Sequence, residues 1–384
     1  MVNSSTMTLI VIVMALYFVG MIAISWMGRK YGKNFDDFIS AGRNCTTLMI
    51  IGSAVGSHIG NGYVVGGAAS GAAVGLSGAW YGIGCALSYL AVALVLNHRV
   101  YKCGYISLPE ILNARYGEKM TSVIFSVTTA LSYIANIAAQ LMAGKALFEA
   151  LGFNGTLGVW VIAVVVMAYS CISGLWGACA TSVVQVAIII VSLLATFFIV
   201  LGRGALGLVT EAVANGLAPA SYFDMGADGF AAILITIVPI SLAALCEQCT
   251  VQRITSAKSE KTSFRALILS VVIMIPCALM PAFIGMYGYV LFGDTTNSVF
   301  FKVALDVLPG FFAALLIAAV VAAIMSTIDT MFVAFSTIIM HNIYRGMINP
   351  NASEGTLKKG DFACHLFLTV GAAVIALQFS SILD

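Results

Sequence analysis

A chain of 384 residues in which 61% of side chains are hydrophobic and only 9% are charged cannot clothe a soluble domain, where roughly a quarter of residues are charged. Its mean hydropathy of +1.03 points to a lipid bilayer, and a net charge of +2 excludes the strongly basic surface that nucleic acid requires. Nine cysteines are scattered through mostly apolar surroundings. Cys246 and Cys249 form a lone CxxC with no second pair to complete a zinc site, and they read as small buried hydrophobes.

Apolar runs long enough to cross a bilayer fall at about ten places: 7–27, 46–71, 75–97, 121–148, 156–174, 178–202, 229–248, 266–292, 311–340 and 362–382. The first has neither a basic leader nor a small-residue cleavage site, so it is expected to be a retained helix. No soluble insertion or long linker interrupts the runs. The expectation is one transmembrane domain over 1–384.

Lysine and arginine in the connections set the orientation. Arg29, Lys30, Lys33 and Arg43 follow the first run, and Arg99, Lys102, Arg115 and Lys119 follow the third. Arg253, Lys258, Lys261 and Arg265 follow the seventh; Arg345, Lys358 and Lys359 follow the ninth. Alternate connections hold only Arg203 and Lys302, so 15 of the 18 basic residues fall on one side. This puts the N-terminus and Asp384 outside, in a multi-pass protein of the plasma membrane. Lys145 and Glu149, one turn apart within a run, read as a structural ion pair.

The second run contains GSAVGSHIGNGYVVGGAASG, with seven glycines in twenty residues and Ser53, Ser57, His58 and Asn61 among them. Gly52, Gly56 and Gly60 fit a close helix–helix contact. His58 and Asn61 need more, and a helix broken near its middle, with freed backbone groups lining a cavity, supplies it. The seventh run carries Pro239 at mid-span, which removes a backbone bond. Interruptions at corresponding places in two halves are the pointer to an inverted-repeat transporter with its site at the midplane. In the ninth run, AAIMSTIDT presents the adjacent hydroxyls of Ser326 and Thr327 and an intramembrane Asp329. Asp329 reads either as functional or as a structural partner near the cytoplasmic end. Hydroxyls together with carbonyls freed by a broken helix suit a hard cation such as sodium.

Five further segments share one pattern: FDDFISAGRN at 35–44, LPEILNARYG at 108–117, ISGLWGACATSVVQ at 172–185, VQRITSAKSEK at 251–261 and AAIMSTIDT at 322–330. In order and spacing the chain resembles the sodium:solute symporter family, which includes sodium-coupled glucose, proline and choline transporters. The resemblance implies an all-α, polytopic fold of five-plus-five inverted repeats, with 7–27 as an extra N-terminal helix, 46–202 as the first repeat and 229–382 as the second. Chains of the family continue past SSILD, so the second repeat is expected to be incomplete here. The implied activity is sodium-coupled symport of a small polar organic solute by alternating access, not enzymatic catalysis, with sodium as coupling ion and no cofactor. The alternative is a non-transporting solute sensor or regulatory membrane protein on the same scaffold.

The resemblance also implies a sodium site from the carbonyls of Gly56, Ile59 and Ala323 and the side chains of Ser326 and Thr327. Ser182 stands where the family often carries an aspartate, which argues against a second sodium site. His58 stands where choline transporters have a tryptophan, and Gly62, Ile240 and Ala243 stand where sugar transporters place polar ligands and a gating tyrosine. His58, Asn61 and Tyr63 remain to face the solute, joined by Trp80, Tyr81 and Gln140. Trp80 and Tyr81 equally suit an interfacial belt, and Tyr63 a lipid-facing position. A histidine and an amide beside exposed helix ends suit a small polar or anionic solute such as a carboxylate.

Overall fold

The structure, a computed structural model, describes residues 4–117 and 119–378; Asp384 and the end of the tenth run lie outside the described residues. Sixteen α-helices follow one another: α1 Ser4–Gly28, α2 Phe35–Ser40, α3 Thr47–His58, α4 Asn61–Val74, α5 Trp80–Ala91, α6 Asn97–Cys103, α7 Leu108–Tyr116, α8 Lys119–Ala150, α9 Gly155–Gly202, α10 Ala205–Ala214, α11 Gly229–Leu245, α12 Gln248–Thr255, α13 Glu260–Phe292, α14 Ser298–Lys302, α15 Gly310–Ser336 and α16 Glu354–Gln378. Among the described residues, seven helical stretches are long and apolar enough to cross a membrane, and α11 with α12 form an eighth as a pair bent by 56°. Ten apolar runs were expected, and the difference lies at two glycines. Gly174 holds φ +56° inside α9, whose 48 residues would stretch about 72 Å if straight, far beyond a bilayer core. Gly75, at φ +77°, turns the chain between α4 and α5.

Capping residues start the helices where the sequence supplies them. Asn154 Oδ1 accepts the Thr156 amide at 2.8 Å ahead of α9. Ser107 and Glu110 form a reciprocal capping box on α7, which satisfies amides that have no intrahelical acceptor. In lipid, helices associate by close contact and polar bonds because burying apolar surface gains nothing over acyl chains. α15 is the axis of the bundle: almost every residue from Ala313 to Ser336 is buried, against α1, α3, α8 and α9. α4 lies along α13, and α11 along α5.

Two connections are tied together by backbone alone. Cys45, just before α3, and Ala257, just after α12, form a parallel β-bridge. The Cys45 amide donates to the Ser256 carbonyl at 3.0 Å, and the Lys258 amide donates to the Cys45 carbonyl at 3.2 Å. The ion pair expected between Lys145 and Glu149 does not form: both side chains instead border Gly155 at the start of α9.

Candidate functional site

The span 46–71 is broken, as its glycines and polar residues suggest. α3 ends at His58, α4 begins at Asn61, and Ile59 and Gly60 between them leave the helical region, with ψ of 58° and −168°. A continuous helix would pair the Gly56 carbonyl with the Gly60 amide and the Ser57 carbonyl with the Asn61 amide. Both bonds are replaced by side chains from other helices. Ser326 Oγ donates to the Gly56 carbonyl at 2.7 Å, and Thr327 Oγ1 donates to the Ser57 carbonyl at 3.3 Å. Gln140 Oε1, on α8, accepts the Asn61 amide at 3.2 Å. Unpaired backbone in a membrane is costly, and these three side chains remove that cost.

The same two hydroxyls also reach the Ala323 carbonyl, at 3.1 and 3.0 Å. Of the oxygens named from the sequence, Gly56, Ala323, Ser326 and Thr327 therefore converge. Among the described residues the two hydroxyls meet Gly56 and Ser57 rather than Ile59, and Ser57 was missed. Glycine favours close approach here: a Cβ on Gly60 would lie 3.0 Å from Thr327 Oγ1 and 3.2 Å from Gln140 Nε2, so those side chains would have to give slightly.

The second break does not fall at Pro239. That residue lies inside α11, and the chain bends at Cys246 and Glu247, where Glu247 is extended. Proline is tolerated inside membrane helices because neighbours and local adjustment satisfy the freed carbonyl, so it is a weak marker of where a span opens.

A cavity of about 490 Å³ lies between the two breaks, within the usual size of a small-molecule site. It is bordered by His58, Tyr81, Gln140 and Glu247, and Gly62, Ile240 and Ala243 border it without offering polar side chains. On α8 the polar residues Thr128, Ser132, Asn136 and Gln140 face it at intervals of four, one stripe of a helix. That stripe was legible as a spacing in the sequence and was overlooked there.

The residues expected to face a solute divide. His58, Tyr81 and Gln140 line the cavity. Tyr63 borders it but is only 2% exposed, and its hydroxyl donates to the Met274 carbonyl at 2.5 Å, fixing α4 to α13 rather than facing lipid. Asn61 is buried and is held through its amide by Gln140; it is not among the lining residues. Trp80 points elsewhere, its Nε1 donating to the Met225 carbonyl at 2.6 Å, where it anchors the loop before α11.

Arg253 on α12 organises the floor of the site. It is 2% exposed and donates to Ser53 Oγ at 3.1 Å, Tyr89 Oη at 3.1 Å and Ser57 Oγ at 2.6 Å. Tyr89 Oη lies 2.7 Å and Ser57 Oγ 3.3 Å from His58 Nδ1. Each hydroxyl accepts from the guanidinium and also lies within donating distance of the Ala54 carbonyl, 2.9 Å from Tyr89 Oη and 3.2 Å from Ser57 Oγ, so His58 Nδ1 is held in this network in either tautomer. VQR was noted in the sequence as a pattern, without a role for the arginine.

Asp329 is fully buried and is not among the cavity residues. Thr181 on α9 donates to its Oδ2 at 3.3 Å, while Oδ1 has no hydrogen-bond partner. Ser182 Oγ and Gln185 Oε1 on α9 are likewise buried without partners. Cys246 is exposed and lines the cavity, whereas Cys249 is buried; the nine cysteines are all free.

Comparison with known proteins agrees with this architecture. The sodium/proline symporter of Escherichia coli (strain K12) is 24% identical over 378 residues, covering 91% of this chain and 73% of the relative. The high-affinity proline transporter PutP of Bacillus subtilis (strain 168) is 24% identical, covering 93% and 78%. Sodium/glucose cotransporter 1 of Oryctolagus cuniculus is also 24% identical, covering 93% of this chain but 61% of its own length. A solved structure of a sodium-coupled sialic acid symporter in a substrate-bound outward-open state superposes with a TM-score of 0.85 at 17% identity, covering 96% of this chain and 82% of the other. Among the described residues the fold is thus all-α, and it is the inverted-repeat fold of that sodium-coupled symporter. The profile of the sodium:solute symporter family matches residues 38–382, and the chain belongs to that family.

Proposed function

We propose that this chain moves a small polar organic solute across the plasma membrane together with sodium, by alternating access around the two broken helices. The observation that carries this reading is the replacement of backbone bonds at the α3–α4 break by the hydroxyls of Ser326 and Thr327. Ser326 Oγ lies within hydrogen-bond distance of both the Gly56 and the Ala323 carbonyls, and Thr327 Oγ1 within that distance of the Ala323 carbonyl, which links four oxygens in one chain. They are the neutral hard donors that a sodium ion takes, and the Ile59 carbonyl is the fifth that the family resemblance adds. Sodium would draw the hydroxyl lone pairs inward and connect α3 to α15, so its occupancy would be felt at the break and in the adjoining cavity. One positive charge crossing 100 mV releases about 2.3 kcal/mol, equivalent to roughly fiftyfold accumulation of solute.

The cavity is lined by α8 between Phe125 and Gln140 and by the last third of α11, toward the ends that adjoin the basic connections. With the N-terminus outside, as the basic residues direct, the cavity lies toward the cytoplasmic ends of α8 and α11.

The test needs no knowledge of the solute. Thermal unfolding of the purified chain in sodium chloride and in potassium chloride should show sodium-specific stabilisation, lost in the double variant Ser326→Ala, Thr327→Ala. In proteoliposomes, a labelled-sodium flux that depends on those hydroxyls supports symport. No difference between sodium and potassium would sink the reading. Sodium binding without any flux would favour the alternative of a sensor on a transporter scaffold.

A further inference from the structure

Resting on the reading of this cavity as the solute site, we infer that the solute carries a protonated amine and that Glu247 receives it. Glu247 stands at the bend between α11 and α12 and lines the cavity, with its side chain 24% exposed. Among the described lining residues there is no lysine, arginine or aspartate; Glu247 is the carboxylate of the site. Its two protein contacts both fall on Oε2: Thr250 Oγ1 donates at 3.3 Å, and Arg253 Nη1 stands off at 4.0 Å. Oε1 takes no described hydrogen bond.

Arg253 pairs with this carboxylate only at the 4.0 Å limit of an ion pair and makes no hydrogen bond to it. Its donors go to Ser53, Ser57 and Tyr89, and it is not among the lining residues. A solute entering the cavity therefore meets an acceptor anion in its lining, whereas the guanidinium is not part of that lining. A carboxylate-bearing solute without an amine, the expectation from His58 and Asn61 alone, would meet Glu247 as a like charge. An ammonium would instead gain a charge-assisted bond at Oε1. Tyr81, 46% exposed at the cavity wall, adds a ring face of the kind cations favour. Amines and zwitterionic amino acids share this group, and the same experiment separates them.

The experiment uses three pairs of probes that differ by ammonium against hydroxyl: ethanolamine with ethylene glycol, glucosamine with glucose, and alanine with lactate. Thermal unfolding of the full chain is measured with each, in sodium and in potassium. At least one ammonium-bearing probe should stabilise the protein in sodium at about tenfold lower concentration than its hydroxyl partner. Glu247→Gln should erase that preference, and Glu247→Asp should keep it in weaker form. A response from ethanolamine or glucosamine marks a simple amine, and one from alanine alone marks a zwitterion; either supports the inference. It is overturned if hydroxyl members bind as well as their partners, if no ammonium member stabilises, or if Glu247→Gln retains the preference. The shift produced by sodium alone, read on the same samples, tests the symport reading separately. Its absence would fell that reading, while its presence in Glu247→Gln would show the variant folded.

Discussion

Gln140 on α8 accepts the amide hydrogen of Asn61 at 3.2 Å, the hydrogen that the break at Ile59 and Gly60 takes from the Ser57 carbonyl. A side chain from a distant helix thus stands in for one rung of a helix. Replacing it with leucine leaves that amide unpaired, at a cost of about 1–3 kcal/mol. Gln140→Leu should lower the midpoint of thermal unfolding in detergent, and Gln140→Glu, which keeps the acceptor, should restore most of it.

Gly60→Ala should act on the ion more than on the fold. The added Cβ would press on Thr327 Oγ1 at 3.0 Å, a hydroxyl that the proposed site needs. Sodium-dependent stabilisation should weaken severalfold while unfolding in potassium changes little. The comparison of the two salts reads this directly, and an equal loss in both would refute it.

Arg253→Met removes three charge-assisted bonds to Ser53, Ser57 and Tyr89 and leaves Glu247 without its neighbour. Breaking a buried charged network in this way costs about 3–5 kcal/mol. Yield of folded monomer on size-exclusion chromatography should fall sharply. Arg253→Lys should recover part of it, because an ammonium restores the charge but cannot reach three oxygens in the same fork.

The connection between α13 and α14 should respond to acid. Burial would raise the Asp294 carboxyl, but Lys302, Ser298 and Thr296 donate to it and together hold it below its ordinary 3.8. Lys302 Nζ is 2.7 Å from Oδ2. A carboxyl depressed in the folded state stabilises fully above its unfolded value and loses that contribution as pH falls through the folded one. Stability should therefore be constant from pH 7 to about 5 and decline below about 4. In Asp294→Asn this part of the decline should vanish, as thermal unfolding across pH would show.

Cys246 offers a spectator of the cavity, being exposed and in its lining. In a Cys103→Ser background, which removes the other exposed thiol, a cationic methanethiosulfonate should react faster than an anionic one, because Glu247 is adjacent. Mass spectrometry of the modified peptide would report the two rates, and Glu247→Gln should bring them together.

The sequence revealed composition-driven features far better than directional ones. The bilayer-spanning character followed from hydrophobicity, and the break in 46–71 from glycines beside His58 and Asn61, residues that an intact lipid-facing helix could not satisfy. Ser326 and Thr327 were visible because adjacent hydroxyls in an apolar run are costly to leave alone. The second break was misplaced because proline marks a missing hydrogen, whereas the bend at Cys246 and Glu247 arises from an extended residue that no local pattern announces. Trp80 misled for a related reason: an aromatic beside a span is equally suited to a cavity and to a loop, and only the position of the Met225 carbonyl decides. The α8 stripe was written at four-residue spacing, but its threonine and serine are also what any helix can hide by bonding to itself. Arg253 sits outside the apolar runs, and its burial is a tertiary fact.

The bridge between Cys45 and Ala257 has a mechanical meaning. It joins the entry to the first interrupted helix to the exit from the second through main-chain atoms, so replacing either side chain leaves the tether in place. Two segments far apart in the chain are thereby constrained to travel as one lever. Any rocking that opens the opposite face of the membrane must carry both broken helices together or tear two peptide hydrogen bonds. Cys45→Ala should be mechanically silent, whereas Cys45→Pro would delete one of the two donors and leave the Lys258 amide as the remaining link.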